Sequence, residues 1–236
     1  MKPTNIYPIY EIEQPSTKKI LRFRPYVVKE EKILLMAKES KQINDIFNAL
    51  VQIAKVCNEE LNLNVDTLPI FDLEYIFAKL RAFSVTNVET AYVIDKEDGK
   101  EHPIIIDFNE IKVKFPDPPI DKVIKASNDV TILMKYPSAS IYKDTNENIL
   151  KKLKSKDMFD LVLSCIDSIY KKDILLKKNK EELIEFLDNL QIPTYRKMKD
   201  FLLNMPKIEY RIEYKNSLGN NRYVQFDSIM DFFFFL

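Results

Sequence analysis

The residues that most often carry chemistry in proteins are scarce in this 236-residue sequence, which has one histidine, two cysteines and two glycines. His102 alone excludes the two-histidine zinc motif and leaves a single base for any nucleophile. Cys57 and Cys165 are too far apart in sequence for a C-x-x-C motif. Gly99 and Gly219 stand alone, which excludes the P-loop, the dinucleotide-binding fingerprint and the nucleophile elbow. The sequence therefore lacks most enzymatic signatures.

The remaining candidate groups have simple structural explanations. His102 lies in a charged turn region without a nucleophile nearby in sequence. The lysine clusters at 151–156 and 177–180 are candidate phosphate contacts, but both flank predicted helices and are mixed with acids, which favours a solvated helix face. Cys57 and Cys165 fall on apolar helical positions, so we expect both to be small buried residues.

The charge balance limits the classes of partner. The chain has 36 basic and 36 acidic residues, and only six of the basic residues are arginine. Such a chain has no general electrostatic attraction to nucleic acid or anionic lipid. No apolar run approaches the roughly 18 residues that span a bilayer. We expect a soluble protein with reduced thiols, no cofactor and no metal.

Helical periodicity dominates the first third of the chain. Apolar residues recur at intervals of three and four between Asn44 and Leu61, which predicts a helix with one buried face. Another helix is expected from Lys29 to Lys38, and a third begins at Asp72 as its N-cap.

Alternating patterns predict strands in three places. From Glu89 to Lys114 they indicate a hairpin or three-stranded meander that turns at Gly99, and a further strand covers Val130 to Lys135. A second hairpin near the end of the chain turns around Gly219.

The second half is expected to be mainly helical. One helix is capped by Asp157 and runs through Tyr170. The next begins with a capping box of Asn179 and Glu182, and Pro193 suits the first turn of a third.

These elements predict an α+β fold. N-terminal helices pack with a small antiparallel sheet and are followed by a helical region that ends in a β-hairpin and an aromatic tail. The expected division is an α+β region over 1–138 and a mainly helical region over 139–236, with a single continuous domain left open.

The tail carries four consecutive phenylalanines: Phe232, Phe233, Phe234 and Phe235. Successive side chains point in different directions in a helix or a strand, so part of this aromatic surface must be covered by another segment or another chain. A partner-binding tail and a tail that fills the protein's own core are about equally well supported.

Two long blocks carry a resemblance to a known family. Phe23 to Ser40 reads FRPYVVKEEKILLMAKES, and Leu68 to Val85 reads LPIFDLEYIFAKLRAFSV. In this order and spacing they resemble the baseplate hub and hub-assembly proteins of T4-type contractile-tailed phages. The ILMKYPS stretch from Ile132 to Ser138 and the phenylalanine-rich end are similar to the same family. Some members have a cysteine pair in the central hairpin, whereas Glu89 to Phe108 has none, so no metal site is carried over.

The resemblance implies a non-enzymatic tail protein. It would be a component of the baseplate hub or an assembly factor (chaperone) for it, binding hub or tape-measure proteins. It would be made late in infection in the host cytoplasm, and its presence in the mature virion tail, its copy number and its oligomeric state are left open. The alternative is a nucleic-acid-associated phage protein that uses the lysine-rich second half.

The resemblance also suggests candidate partner-binding residues. They are Arg24 and Glu31 in the first block and Arg81 in the second, together with the phenylalanines of the tail. A structural interpretation, with helix caps and an arginine–carboxylate pair tying the two blocks together, is favoured over partner contact for the residues of the blocks.

Overall fold

A computed structural model describes residues 7–142, 155–176 and 179–233. Among them the helices are α1 (Val28–Ser40), α2 (Ile43–Cys57), α3 (Ile70–Ser84), α4 (Ser155–Ser164), α5 (Lys180–Asp188), α6 (Ile192–Leu203) and α7 (Ile229–Phe233). The strands are β1 (Tyr10–Glu13), β2 (Ile20–Phe23), β3 (Val88–Ile94), β4 (Glu101–Asp107), β5 (Lys112–Lys114), β6 (Val123–Lys125), β7 (Val130–Met134), β8 (Ile166–Lys171), β9 (Ile174–Leu176), β10 (Lys207–Lys215) and β11 (Asn221–Phe226). All strand pairings within these ranges are antiparallel, so the predicted α+β class is confirmed.

The chain forms two compact units, and the sequence of the second interrupts the sequence of the first. The first unit comprises residues 1–114 and 207–236, and the second comprises 115–206. β5 and β10 belong to the same sheet of the first unit, with Val113 opposite Ile208. The segment between these two strands therefore leaves the first unit after β5 and returns to it at β10. The contiguous division expected at residue 138 falls inside the second unit and does not follow this grouping.

The helical stripe of α2 forms much of the core of the first unit. Its buried residues are Ile46, Phe47, Ala49, Leu50, Val51, Ile53, Ala54 and Cys57. They lie on the face that the periodicity of three and four predicts, so this prediction is confirmed. Leu50 and Ile53 are completely buried, as are Leu73 and Ile76 on α3.

Among the described residues, the first unit contains three small sheets: the pair β1–β2, the pair β3–β4 and the three-stranded sheet β11-β10-β5. The two predicted hairpins are confirmed, and their turns place Gly99 and Gly219 at φ of 68° and 84°, where glycine has no Cβ penalty. The alternative of a three-stranded meander is wrong, because β5 leaves β4 and pairs with β10.

The second unit is a four-stranded sheet in the order β6-β7-β8-β9 that packs with α4, α5 and α6. The helix predicted to run through Tyr170 ends at Ser164, and the following residues form β8. Ile166 and Ile169 are spaced like one helix face, but both are buried in a strand. A register shift opposite Leu133 and Met134 leaves an extra residue in β8, so the two isoleucines point to the same side.

Two of the four predicted helix-start signals are confirmed, and the helix expected to be capped by Asp157 begins two residues earlier, at Ser155. Asn179 and Glu182 form the predicted capping box, with hydrogen bonds of 2.9 Å and 2.8 Å. Pro193 lies in the first turn of α6, also as predicted. Asp72 is not an N-cap, because α3 begins at Ile70, two residues earlier.

Candidate interaction surface

The turn of β3–β4 is locked to the turn of β10–β11 by buried carboxylates. Asp95 accepts hydrogen bonds from the Tyr214 hydroxyl at 2.6 Å and from Arg222 Nε at 3.0 Å. The bond from Tyr214, with those from Glu97, Asn216 and Arg222, holds the pKa of Asp95 well below its usual range. This carboxylate is therefore fully satisfied, which indicates a structural role.

His102 belongs to the same locked turns. Its Nε2 lies 2.8 Å from Asp98 Oδ2, and the same carboxylate accepts the backbone N–H of Ser217 at 2.9 Å and its hydroxyl at 2.8 Å. Burial alone would raise the pKa of Asp98, but hydrogen bonds from Lys100, Ser217 and His102 lower it. The serine hydroxyl is bonded to Asp98 and not to the imidazole, so this is not a nucleophile–base arrangement.

The candidate residues of the two blocks lie near one another in the protein. Arg24 pairs with Glu30 at 3.1 Å rather than with Glu31, and its side chain is 12% exposed. Arg81 forms an ion pair with Glu89. The blocks are joined by Tyr26, whose backbone N–H donates to Ser84 Oγ at 3.0 Å.

Tyr26 also connects Glu31 with Arg81 electrostatically. Its ring stacks on Phe77 with centroids 6.4 Å apart, and its side chain is buried. Burial, followed by the Glu31 carboxylate, raises the pKa of Tyr26 to about 12, although Arg81 opposes the shift. The geometry of Arg24 and Arg81 supports a structural role for both, with little side-chain surface left for a partner.

The aromatic tail begins inside the core. Phe232 is 1% exposed and packs on Phe226, Tyr210 and Phe108, with ring centroids 4.4, 6.1 and 5.9 Å away. Phe232 therefore fills the core, which is one of the two interpretations of the tail, and leaves almost no side-chain surface for a partner. The side chain of Phe233 and all of 234–236 lie outside the described residues, so the predictions for Phe233, Phe234 and Phe235 stay predictions.

A buried carboxylate on α3 holds the start of α7. Glu74 is 3% exposed and accepts hydrogen bonds from the Ser228 hydroxyl and from the Ile229 N–H, the latter at 3.3 Å. Burial raises the pKa of Glu74 to about 7, and the bond from Ser228 only partly offsets this effect. Glu74 is therefore a link between the second sequence block and the C-terminal segment.

One face of the β3–β4 hairpin is apolar and exposed. It comprises Val88, Tyr92 and Ile94 on β3 and Ile105 on β4, and we call these four residues the hairpin outer face. Tyr92, Ile94 and Ile105 are each more than 60% exposed. The opposite face of the same strands carries Ala91, Ile104 and Ile106, which are buried in the core. Because one apolar face of this hairpin is buried in the core and the other is exposed, the exposed face is a candidate contact surface.

This face was missed in the sequence, although its signal is present. The run Ala91-Tyr92-Val93-Ile94 is apolar at four successive positions, whereas a strand with one solvated face alternates. The prediction of a hairpin or meander from Glu89 to Lys114 did not include a second apolar face.

A smaller apolar surface lies on α1. Val28, Leu35 and Met36 are exposed on the side of the helix opposite the buried Leu34 and Ala37. These residues are interleaved with charged side chains, as on an ordinary amphipathic helix, so this surface is a weaker candidate than the hairpin outer face.

The cysteines and the lysine clusters add no reactive or binding group to the described surfaces. Cys57 and Cys165 are buried, as expected, and burial raises the pKa of each thiol to about 11. Within 7–142, 155–176 and 179–233, no group of three or more ligating side chains is arranged to hold a metal ion, and no helix is long and apolar enough to cross a membrane. Most of the lysine clusters at 151–156 and 177–180 lies outside the described residues.

The described surfaces thus offer apolar contact area and ion pairs that hold the fold together. A comparison with models of protein families matches residues 7–234 to the family described as T4 bacteriophage base plate protein. Because the match covers nearly the whole chain, the chain belongs to this family and is a phage baseplate protein. Comparisons with curated proteins and with solved structures gave no match.

Proposed function

We propose that this baseplate protein acts by binding, as a component of the baseplate hub or as an assembly factor for it. Its partner is a hub or tape-measure protein of the same phage. The observation that supports this proposal is the hairpin outer face, whose Tyr92, Ile94 and Ile105 are 62%, 66% and 62% exposed.

An apolar surface that stays exposed to water is unfavourable, and contact with a partner removes it from water. Contiguous apolar patches on soluble proteins are usually small, and larger ones mark interaction sites. The hairpin outer face combines an aromatic ring with two isoleucines, and aromatic residues are enriched where interfaces are fully desolvated. In register, Tyr92 lies opposite Pro103 and Thr90 opposite Ile105, so the apolar residues occupy neighbouring positions on the two strands.

The test is co-purification of the full chain with each hub and tape-measure protein of its phage, expressed together. The double substitution Ile94→Ser, Ile105→Ser should reduce recovery of the partner at least tenfold, because two desolvated isoleucines contribute several times the roughly 1.4 kcal/mol that corresponds to a tenfold change. Ile174→Ser is the matched control, because Ile174 is 70% exposed on a different strand pair. Equal recovery with both variants would argue against the hairpin outer face as the binding site.

The distinction between a permanent hub component and a transient assembly factor needs a second measurement. Quantitative mass spectrometry of purified mature tails should find the chain at a fixed ratio to other hub proteins if it is a component. If it is an assembly factor, the chain should be present only in assembly intermediates.

A further inference from the structure

The strand β11 has an uncovered edge that lines a groove. β11 is the outer strand of the sheet β11-β10-β5, and among the described residues no strand pairs with its other side. A groove of about 530 Å³ runs along it, lined by the five consecutive residues 221–225 and, across from them, by 93–96 and Tyr214. Five consecutive residues of one strand place its backbone edge, and not only one of its faces, along the groove.

The hydrogen-bond pattern shows which backbone groups face this groove. At the hairpin turn the N–H of Asn216 donates to the carbonyl of Asn220 at 3.1 Å. Bonded and non-bonded pairs alternate along an antiparallel ladder. In the observed register, the N–H and C=O groups of Arg222 and Val224 therefore point to β10, and those of Tyr223 point to the free edge. The N–H and C=O groups of Asn221 and Gln225 also point to the free edge, because each residue is two positions from Tyr223.

This edge lacks the usual protection against pairing. Natural edge strands are often short, bulged, or interrupted by proline or by inward charges. β11 has six residues, a regular register with β10 and no proline. Its inward charge, Arg222, is paired with Asp95 at 3.0 Å and so is turned away from the edge.

The charges around the groove indicate the chemistry of its occupant. Asp95 is buried and Glu97 is bonded to Asn216 and Asn220 within the turns, while Glu213, opposite Tyr223 on β10, is paired with Arg211 at 3.1 Å. Lys96 lines the groove and Lys215 lies opposite Asn221 on β10. Both lysines are exposed, and within the described part of the chain neither has an ion pair. Lys96 in the groove and Lys215 beside it on the other face of the sheet therefore supply positive charge that is unpaired among the described residues, while Val93 and Val224 supply a half-buried apolar floor.

The size of the edge favours a short segment over a folded partner. Six strand residues span about 20 Å and neighbouring strands lie about 4.8 Å apart, so the strip along β11 covers on the order of 100 Å², whereas a stable dimer buries about 800 Å² on each partner. A second copy of this chain held through β11 alone would bury too little surface.

We propose that the edge of β11 binds a short, extended, acidic segment of a partner baseplate protein, which adds a fourth strand to the sheet β11-β10-β5. This inference rests on the proposed binding function. Main-chain hydrogen bonds to Tyr223 and its neighbours hold the segment, as in other cases of strand addition. Its carboxylates face Lys96 and Lys215, and its alternate apolar residues cover Val93 and Val224.

The probe is a set of 12-residue peptides that tile the hub and tape-measure proteins of the same phage. Their binding to the full chain is measured by fluorescence anisotropy. At least one acidic peptide should bind, and Tyr223→Pro should weaken it at least tenfold because it removes an N–H from the free edge. Tyr223→Thr is the matched control, since it removes the ring but keeps the N–H and suits a strand. Lys96→Glu should weaken binding of the acidic peptide severalfold.

Hydrogen exchange on the wild-type chain provides an independent readout that does not depend on how the proline variant folds. Bound peptide should slow exchange at the amides of Tyr223 and Gln225, without the same effect at Ile174. The proposal is overturned if no peptide binds, if these amides stay unprotected, or if the edge is instead occupied by a second copy that yields a concentration-dependent dimer. If partner co-purification persists while the peptide tests fail, only this inference is lost. If the chain binds no baseplate partner at all, the proposed function fails.

Discussion

Glu74 should make the stability of the first unit depend on pH in an unusual direction. This carboxyl is buried against α7, and its pKa rises from 4.5 to about 7 in the folded chain. Below pH 4.5 it is protonated in both the folded and the unfolded chain. Between 4.5 and about 7 the unfolded chain releases the proton while the folded chain keeps it, so the free energy of unfolding falls as pH rises.

The magnitude follows from linkage. A tenfold change in a protonation equilibrium corresponds to about 1.4 kcal/mol, so this pKa change corresponds to a loss of about 3 kcal/mol, complete above pH 7. Glu74→Gln keeps an oxygen that accepts from Ser228 and Ile229 and has no charge to bury. Its free energy of unfolding, minus that of the wild type, should therefore increase by about 3 kcal/mol between pH 4.5 and 8.

Urea denaturation followed by circular dichroism at constant ionic strength measures this difference. Glu59→Gln, at an exposed position, controls for the loss of one carboxylate. Ser228→Ala removes a hydrogen bond that lowers the pKa of Glu74, so it should extend the decline to higher pH. A difference between Glu74→Gln and the wild type that is flat or falls with pH would refute the reasoning.

Two further predictions concern packing and turn geometry. Phe232→Ala should lower the free energy of unfolding by about 3 to 5 kcal/mol, because it removes a buried ring from the cluster with Phe226 and Tyr210; a loss below about 1 kcal/mol in urea denaturation would show that this ring is not part of the core. The pair Lys172→Asn, Asp173→Gly should raise the free energy of unfolding by about 1 kcal/mol, since both residues have positive φ (48° and 64°) in the β8–β9 turn; an unchanged or lower urea midpoint would contradict this.

The sequence was most informative where one element satisfies its pattern alone. The stripe of α2 and the capping box at Asn179 depend on neighbours in sequence, and both were predicted correctly. The turns at Gly99 and Gly219 need a positive φ, which glycine adopts freely, so the hairpins were also recognisable.

The missed features depend on distant partners. β8 was assigned to a helix because a bulge gives its buried isoleucines helical spacing, and because the turn that follows uses Lys172 and Asp173 in place of glycine. The pairing of β5 with β10 joins residues about a hundred positions apart, which periodicity does not reveal.

The candidate site shows the same division. Arg24 and Arg81 were recognised as important, but their partners Glu30 and Glu89 are set by tertiary packing. Phe232 is buried because Phe108, Tyr210 and Phe226 converge on it from three other segments. The hairpin outer face is an unburied surface, and only the three-dimensional structure shows which side of β3 the core leaves uncovered.

The most direct test of binding through the hairpin outer face is site-specific photo-crosslinking during infection. A photoreactive phenylalanine analogue replaces Tyr92, which is 62% exposed, and in a control chain it replaces Ile174. Mass spectrometry then identifies the crosslinked proteins. We predict that position 92 crosslinks to a hub or tape-measure protein and that position 174 does not. Equal crosslinking from both positions, or none to any baseplate protein from position 92, would contradict the account.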